Sequence, residues 1–286
     1  MYLMEHVAAG LMLNILQIDV EDWYCDLDPA DWYKYEMRVA GATEKILSIL
    51  KETKNKATFF MLGYVAERLP ELVLRIDSEG HEIASHGYGH RRIPDQTPEE
   101  FEKDVTRSIA ILEKITGKKV RGYRAPQFTV VKDTLWALEI LKEHGIEYDS
   151  SIFPVKTPLY GIPDAPLFPH RIRVKEKENG KDLLEIPLSV YRAPLLGKNI
   201  PVAGGFYFRL FPYFFVSHAL RKLNSAGNVA VCYLHPWELD PGKPRVDGLK
   251  WYHYYRIAST EKKFRKLMRD FKFTSTQEWI EHERRD

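Results

Sequence analysis

Two histidines, His86 and His90, lie four positions apart, and Gly87 and Gly89 stand between them. Two glycines allow a tight loop in which both imidazoles can converge. Neutral imidazole is a frequent zinc ligand, so the pair is typical of half of a divalent metal site. The alternative interpretation is a surface loop with two solvated histidines. The short apolar run directly before His86 favours the metal site.

A carboxylate is needed to complete such a site, and three acids occur within four residues at Asp19, Glu21 and Asp22. They follow the apolar run from Asn14 to Val20, which predicts a buried strand. Asp19 and Glu21 would point to one side if the strand continued, whereas Asp22 would point to the other. One carboxylate could bind the metal while another acts as a base. The alternative is that they are strand-end or helix-capping acids.

Arg124 and His235 also come directly after predicted strands. Arg124 could orient the base carboxylate through a charge-assisted hydrogen bond, or it could be an ordinary surface arginine. His235 could protonate a leaving amine, or it could be a capping histidine. In a parallel barrel or sheet the carboxyl ends of the strands share one face, where loops build active sites. We therefore expect these residues to meet there.

The elements that must position these residues alternate between strand and helix at intervals of about 30 residues up to residue 149. This alternation predicts parallel strands with helical crossovers. Thr43 is a plausible cap for the first helix, and Thr97 with Glu100 predicts a capping box on a helix that ends at Gly117. The alternation of strands and helices ends before Pro154, and we expect an insertion with a hairpin over about 154–212. We expect a single domain over 14–286, preceded by an extension over 1–13.

The composition is that of an ordinary globular protein, with 44% hydrophobic and 29% charged residues. A net charge of +2, from interspersed acids and bases, gives no electrostatic case for nucleic acid. We expect no membrane span, and Glu5 stands where a signal peptide would be basic, so a cytoplasmic location is expected. Cys25 and Cys232 are expected to be core thiols, not a disulfide framework.

Taken in order, several motifs resemble those of the polysaccharide deacetylases of the NodB-homology type, carbohydrate esterase family 4. The motifs are Asp19-Val20-Glu21-Asp22, Ala57-Thr58-Phe59-Phe60, Ser85-His86-Gly87-Tyr88-Gly89-His90, Gly122-Tyr123-Arg124-Ala125-Pro126, Tyr148-Asp149-Ser150-Ser151 and Leu234-His235-Pro236-Trp237. The resemblance covers about residues 14–285. It is strongest to the branch that includes peptidoglycan deacetylase, allantoinase-like proteins and exopolysaccharide-associated deacetylases. It implies an α/β fold, a distorted (β/α)7 barrel, here with an inserted hairpin or loop region. The implied cofactor is a divalent metal, Zn²⁺ first, with Co²⁺, Ni²⁺ or Mn²⁺ as alternatives.

The resemblance also implies roles for the residues that match the motifs. Asp19 would be the catalytic base, His86 and His90 metal ligands, Arg124 the tether of the base and His235 the general acid. The third ligand stays open between Glu21 and Asp22, because the spacing of the acids departs from the commonest pattern of the family. The residues expected to contact substrate are Tyr123, Pro126 and Trp237.

The implied reaction is removal of an N-acetyl group from an amino sugar in a polysaccharide or other glycan. A first alternative is hydrolysis of a small cyclic amide or ureide, as in the allantoinase-like branch. A second is an inactive carbohydrate-binding homologue. The expected partner is an N-acetylated glycan or a small amide, and the sequence leaves the glycan and the oligomeric state open.

Overall fold

The computed structural model describes residues 12–174, 182–193 and 197–284. The chain divides into two compact units, each described by itself below. The first unit comprises Met1–Thr58, Gly80–Glu82 and Val202–Asp286, and the second comprises Phe59–Glu79 and Ile83–Pro201. Most of the predicted extension over 1–13 lies outside the described residues.

The strands are short and mostly buried, and they run through the whole described chain. In chain order they are β1 Leu13–Val20, β2 Thr58–Met61, β3 Glu82–Ser85, β4 Gly122–Tyr123, β5 Tyr148–Asp149, β6 His170–Arg173, β7 Asp182–Glu185, β8 Val190–Arg192, β9 Asn199–Pro201, β10 Val231–Leu234 and β11 Lys272–Thr274.

The α-helices follow most of these strands, as the alternation in the sequence predicts. They are α1 Val39–Thr53, α2 Gly63–Arg68, α3 Pro70–Ser78, α4 Pro98–Thr116, α5 Trp136–Glu143, α6 Gly205–Leu210, α7 Tyr213–Ser225, α8 Ile257–Asp270 and α9 Thr276–Glu283. In the described part of the chain, no helix combines the length and the apolar character that crossing a bilayer requires.

In the first unit, β1 lies between two parallel neighbours, β10 and β11. Seven of the eight residues of β1 are buried, which is typical of a central strand in a parallel sheet and agrees with its five apolar residues. The register pairs Ile18 with Leu234, so the residues that follow both strands leave the sheet side by side.

In the second unit the strand order is β2-β3-β4-β5-β7-β6. β3 pairs parallel with β4, β4 with β5 and β5 with β7, and Ser85 of β3 lies opposite Tyr123 of β4. β6 pairs antiparallel with β7, and β8 pairs antiparallel with β9. These two antiparallel pairs lie in the region from Pro154, and they confirm the expected hairpin there.

Local sequence signals set several helix ends as predicted. Thr97 and Glu100 form the capping box of α4, and Gly117 ends the helix in the left-handed conformation. The expectation that Thr43 caps the first helix is wrong. Helix α1 begins four residues earlier, at Val39, and the Thr43 hydroxyl donates to the Val39 carbonyl at 2.7 Å. An interior threonine commonly makes this bond, and the sequence pattern did not distinguish it from a cap.

Candidate active site

The first unit brings together Asp19 and His235 because β1 and β10 are parallel and in register. His235 Nε2 lies 3.8 Å from Asp19 Oδ2 and 3.7 Å from Glu21 Oε1. Asp19 is 2% exposed and Glu21 is 4% exposed, so these carboxylates interact with the imidazole in a largely dry environment. Within this unit, His235 and two of the three acids of the motif, Asp19 and Glu21, therefore form one cluster.

His235 is held by Glu238, which lies in the short 3-10 helix Pro236–Leu239. Glu238 Oε1 accepts hydrogen bonds from His235 Nδ1 at 2.8 Å and from the His235 backbone N–H at 3.1 Å. A carboxylate that accepts from Nδ1 fixes the ring and leaves Nε2 directed at Asp19 and Glu21. His235 is also the N-cap residue of this 3-10 helix and forms a capping box with Glu238, as the alternative interpretation predicted.

Charge controls the protonation of His235 more than burial does. Burial alone would lower the pKa of His235, but the negative charge of Glu21, the hydrogen bond and charge of Glu238 and the charge of Asp19 together raise it to about 9. Burial would raise the pKa of Glu238, yet Arg209 and His235 hold it at about 2. At neutral pH His235 is therefore a protonated acid beside an ionised partner.

Arg209, on α6, is a buried residue of this network that the sequence reasoning missed. Its Nε donates to Glu238 Oε2 at 2.5 Å, and its Nη1 donates to the carbonyls of Tyr252 and Tyr255, both at 2.7 Å. Its side chain is 1% exposed. The signal that could have found Glu238 was its spacing of three residues from His235. No local signal marks Arg209, which is 29 positions away from Glu238.

Asp22 has a different environment from Glu21. Its carboxylate accepts from the backbone N–H groups of Trp23 at 2.8 Å, Arg38 at 2.7 Å and Val39 at 2.9 Å. Burial raises its pKa to about 6 in spite of these bonds. Because Arg38 and Val39 stand at the start of α1, the structure gives Asp22 the helix-capping role that was the alternative interpretation for these acids.

Trp237 connects Glu21 to His235. Its indole Nε1 donates to Glu21 Oε1 at 3.1 Å, and its ring stacks on His235 with centroids 4.9 Å apart. Lys243 Nζ lies 3.9 Å from the centroid of the same ring. Trp237 is only 6% exposed, so its visible function in this unit is to position the neighbouring side chains.

The second unit brings His86 and Arg124 together in the same way, because Ser85 and Tyr123 are paired in parallel strands. His86 Nδ1 lies 2.8 Å from the Arg124 carbonyl oxygen. A carbonyl only accepts, so Nδ1 carries the proton and Nε2 is the unprotonated nitrogen. This is the arrangement that metal-binding histidines commonly adopt.

Asp104 of α4 shapes the loop between His86 and His90, and it is another residue that the sequence did not predict. It accepts from the Tyr88 N–H at 2.7 Å and from the Gly89 N–H at 3.0 Å. Gly87 has a φ of +71°, and a Cβ there would stand 2.7 Å from Asp104 Oδ2. The glycine therefore allows the close approach that was predicted from the motif.

The loop places the two imidazoles close together and out of solvent. Their ring centroids are 5.4 Å apart, His86 is 2% exposed and His90 is 7% exposed. The alternative of two solvated histidines is therefore wrong. His90 also has a φ of +51°, a conformation that is unfavourable for a residue with a side chain and is typical of functional sites.

Arg124 is fully buried, so the alternative of an ordinary surface arginine is wrong as well. Its Nε donates to the Ser150 carbonyl at 2.9 Å and its Nη2 to the Ser150 hydroxyl at 2.7 Å. The guanidinium carbon lies 4.5 Å from the centroid of Phe60 and 5.2 Å from that of Phe128. These contacts define its orientation within the unit.

Two buried carboxyl groups, Asp149 and Glu185, face each other across β5 and β7 near Arg124. The Ser151 hydroxyl donates to Asp149 at 2.6 Å, and the Ile152 N–H donates to Glu185 at 3.0 Å. Burial raises the pKa of Asp149 to about 6 and that of Glu185 well above its usual range. Burial therefore favours a protonated carboxyl in this pair.

The remaining predicted residues occupy buried positions. Tyr123 is 1% exposed and packs edge-on against Phe101 of α4, while Pro126 is buried in the next turn. Substrate contact by Tyr123, Pro126 or Trp237 stays a prediction. Cys25 and Cys232 are buried thiols that form no disulfide, as expected, and burial raises the pKa of both.

Two family models match adjacent parts of the chain. Residues 31–148 match the polysaccharide deacetylase family, and residues 150–281 match a domain of unknown function, DUF3473. Residues 31–148 therefore match a polysaccharide deacetylase domain, which confirms the resemblance seen in the motifs. The first match includes His86, His90 and Arg124, and the second includes His235. That 14–286 forms a single domain stays a prediction.

Known proteins agree with this assignment. Over 98 residues the chain is 37% identical to the peptidoglycan-N-acetylglucosamine deacetylase of Bacillus cereus, an alignment that covers 34% of this chain and 36% of that relative. The chain spans about a third of the length of the curated relatives it matches.

Two solved structures show the same fold over nearly the whole chain. A Mycobacterium smegmatis structure, provisionally assigned as a polysaccharide deacetylase, has a TM-score of 0.63 at 25% identity and covers 94% of this chain and 88% of that one. The allantoinase PuuE has a TM-score of 0.59 at 15% identity and covers 91% of this chain and 85% of its own. The expected mixed α/β fold of the NodB type is confirmed.

Proposed function

We propose that this protein is a metal-dependent hydrolase that removes N-acetyl groups from amino sugars of a glycan. The observation that carries the proposal is the orientation of its two key histidines. His86 has its Nδ1 proton bound to a backbone carbonyl, as a metal ligand does, and His235 has its Nδ1 bound to a carboxylate, as a general acid does. The curated deacetylases that the chain resembles support the substrate class.

The proposed ligands of the metal are Glu21, His86 and His90, all of them buried. Two neutral imidazoles and one carboxylate suit Zn²⁺ in its catalytic form, in which positions remain open for water and substrate. Glu21 is preferred to Asp22 because three backbone N–H groups already occupy the Asp22 carboxylate. The bound ion would act as a Lewis acid that activates water and polarises the acetyl carbonyl.

The protein side chains would handle the protons. Asp19 accepts the proton of the attacking water, and Arg124 orients the Asp19 carboxylate. His235 donates its Nε2 proton to the departing amine, and Glu238 keeps the imidazole in place during the transfer. The products are a free amine on the sugar and acetate. The raised pKa of His235 supports this assignment, because the imidazole then carries a proton that it can donate at neutral pH.

The test is acetate release from N-acetylated substrates by the zinc-loaded protein. Chito-oligosaccharides and peptidoglycan represent glycans, and a cyclic ureide represents the substrate class of the allantoinase-like alternative. Wild-type protein should release acetate from a glycan, and the double variant His86→Ala/His90→Ala should lose both bound metal and activity. The exposed histidine of α7, His218, provides the control variant His218→Ala, which should retain both. Hydrolysis of the ureide alone, or full activity in the double variant, would contradict the proposal.

A further inference from the structure

A continuous series of stacked rings starts at His235 and leads away from it. His235 stacks on Trp237 at 4.9 Å, Trp237 stacks on His253 at 5.3 Å, and His253 stacks on Tyr252 at 4.9 Å. The interplanar angles are 19°, 28° and 28°, so the rings face each other throughout. Each of these side chains belongs to the first unit.

The series ends in an aromatic cluster at the surface, which we call the Trp251 platform. It consists of Phe206, Trp251, Tyr252 and Tyr255, and Phe206 lies within 5.6 to 6.0 Å of the other three ring centroids. Trp251 is 65% exposed, although contact of a large apolar indole with water is energetically unfavourable. An aromatic cluster that exposes one indole and partly exposes its other rings, and that is linked by stacked rings to a candidate active site, is typical of a binding surface.

Arg209 fixes this platform relative to the proposed acid. The same guanidinium that binds Glu238, the partner of His235, also binds the backbone carbonyls of Tyr252 and Tyr255. Because Arg209 is buried and bonded on both sides, its hydrogen bonds link the backbone of the platform to the partner of the imidazole. A molecule that rests on Trp251 would therefore be held at a defined distance from His235.

We propose that the Trp251 platform binds a pyranose ring of the glycan chain next to the sugar that is deacetylated. One face of a pyranose carries C–H groups that pack on an aromatic ring, while its hydroxyls stay in water or bond to tyrosine hydroxyls. The inference rests on the proposed function and adds a second contact with the substrate. It predicts a preference for polymers over single amino sugars.

The experiment compares a long substrate with a short one. Trp251→Ala should raise KM for N-acetylchitohexaose about three- to ten-fold and leave kcat nearly unchanged, because the lost contact is made equally before and during reaction. Hydrolysis of N-acetylglucosamine should not change, and Trp251→Phe should recover most of the loss. Phe214 of α7, which is 73% exposed, provides the matched control Phe214→Ala. An equal effect of Trp251→Ala on both substrates would overturn the proposal.

A binding measurement separates this inference from the proposed function. Calorimetric titration with N-acetylchitohexaose measures binding without relying on catalysis. Trp251→Ala should raise the dissociation constant by the same factor as KM. If the wild-type protein binds the oligosaccharide but releases no acetate, the proposed function fails while the platform stands. If both proteins bind equally, the platform fails. A lower mass of Trp251→Ala in sedimentation would show instead that this surface joins two copies, which would also overturn the proposal.

Discussion

Replacing Glu238 with glutamine isolates the contribution of one buried charge. Glutamine keeps the size of the side chain, but it removes the negative charge that both Arg209 and His235 contact. Glu238 and Arg209 are 0% and 1% exposed at the side chain, so the arginine would be left as an uncompensated charge away from water. Two effects, on stability and on catalysis, are therefore expected.

The magnitudes follow from the contacts. Removing one partner of a buried ion pair costs about 3 to 5 kcal/mol of unfolding free energy. Loss of a correctly oriented general acid lowers kcat by about 10² to 10⁴. Glu238 also contributes to the raised pKa of His235, so the pH above which activity falls should move to lower pH in Glu238→Gln.

The assay combines urea unfolding with acetate release over a range of pH, on the metal-loaded protein. The double variant Arg209→Met/Glu238→Gln removes the orphan charge. It should therefore be only about 2 kcal/mol less stable than wild type, mainly from the lost bonds to two carbonyls. Its activity should remain as low as that of the single variant. Glu52→Gln breaks the exposed pair with Arg265, and this control should cost less than about 1 kcal/mol.

Wild-type kcat in folded Glu238→Gln, together with an unchanged fall of activity at alkaline pH, would refute this prediction. It would also be refuted if Arg209→Met/Glu238→Gln regained activity together with stability, because catalysis would then follow only the stability of the fold.

The other predictions concern stability and capping. Asp22→Ala should lower the free energy of unfolding by about 1 to 3 kcal/mol, because three backbone N–H groups lose their acceptor. Elemental analysis of this variant should still find the bound metal. Burial lowers the pKa of His81 from 6.5 to about 3, so the folded imidazole stays neutral where the unfolded one binds a proton. The free energy of unfolding, measured with urea, should therefore fall by about 2 kcal/mol from pH 7 to pH 5. The fall should be smaller in His81→Asn. Gly204→Ala should lose more than about 2 kcal/mol, because its Cβ would stand 2.0 Å from the Tyr233 carbonyl oxygen; a stability within about 0.5 kcal/mol of wild type would contradict this.

Much of the fold could be predicted because the relevant signals are local. The apolar runs before Asp19, His86, Arg124 and His235 indicated strands, and parallel pairing put the following residues at neighbouring strand ends. The two glycines after His86 indicated a tight loop, which the structure shows. Strand ends, caps and tight loops depend on a few adjacent residues, so the sequence displays them directly.

The supporting contacts could not be predicted because they join distant parts of the chain. Arg209 reaches Glu238 and the carbonyls of Tyr252 and Tyr255, and Asp104 binds a loop that lies about 15 residues before it. An arginine or aspartate in a helix is most often a solvated side chain, and only packing shows that these two are buried or part-buried and bonded. The capping role of Asp22 was foreseen only as one of two alternatives.

The central claim is a metal ion bound by Glu21, His86 and His90. Its most direct test is elemental analysis of protein exchanged into zinc and then dialysed against metal-free buffer. We predict about one Zn²⁺ per chain in wild type and in Asp22→Ala, and a large loss in Glu21→Ala and in His86→Ala/His90→Ala. Wild-type protein without bound metal, or a Glu21→Ala variant that keeps the full amount, would contradict the claim.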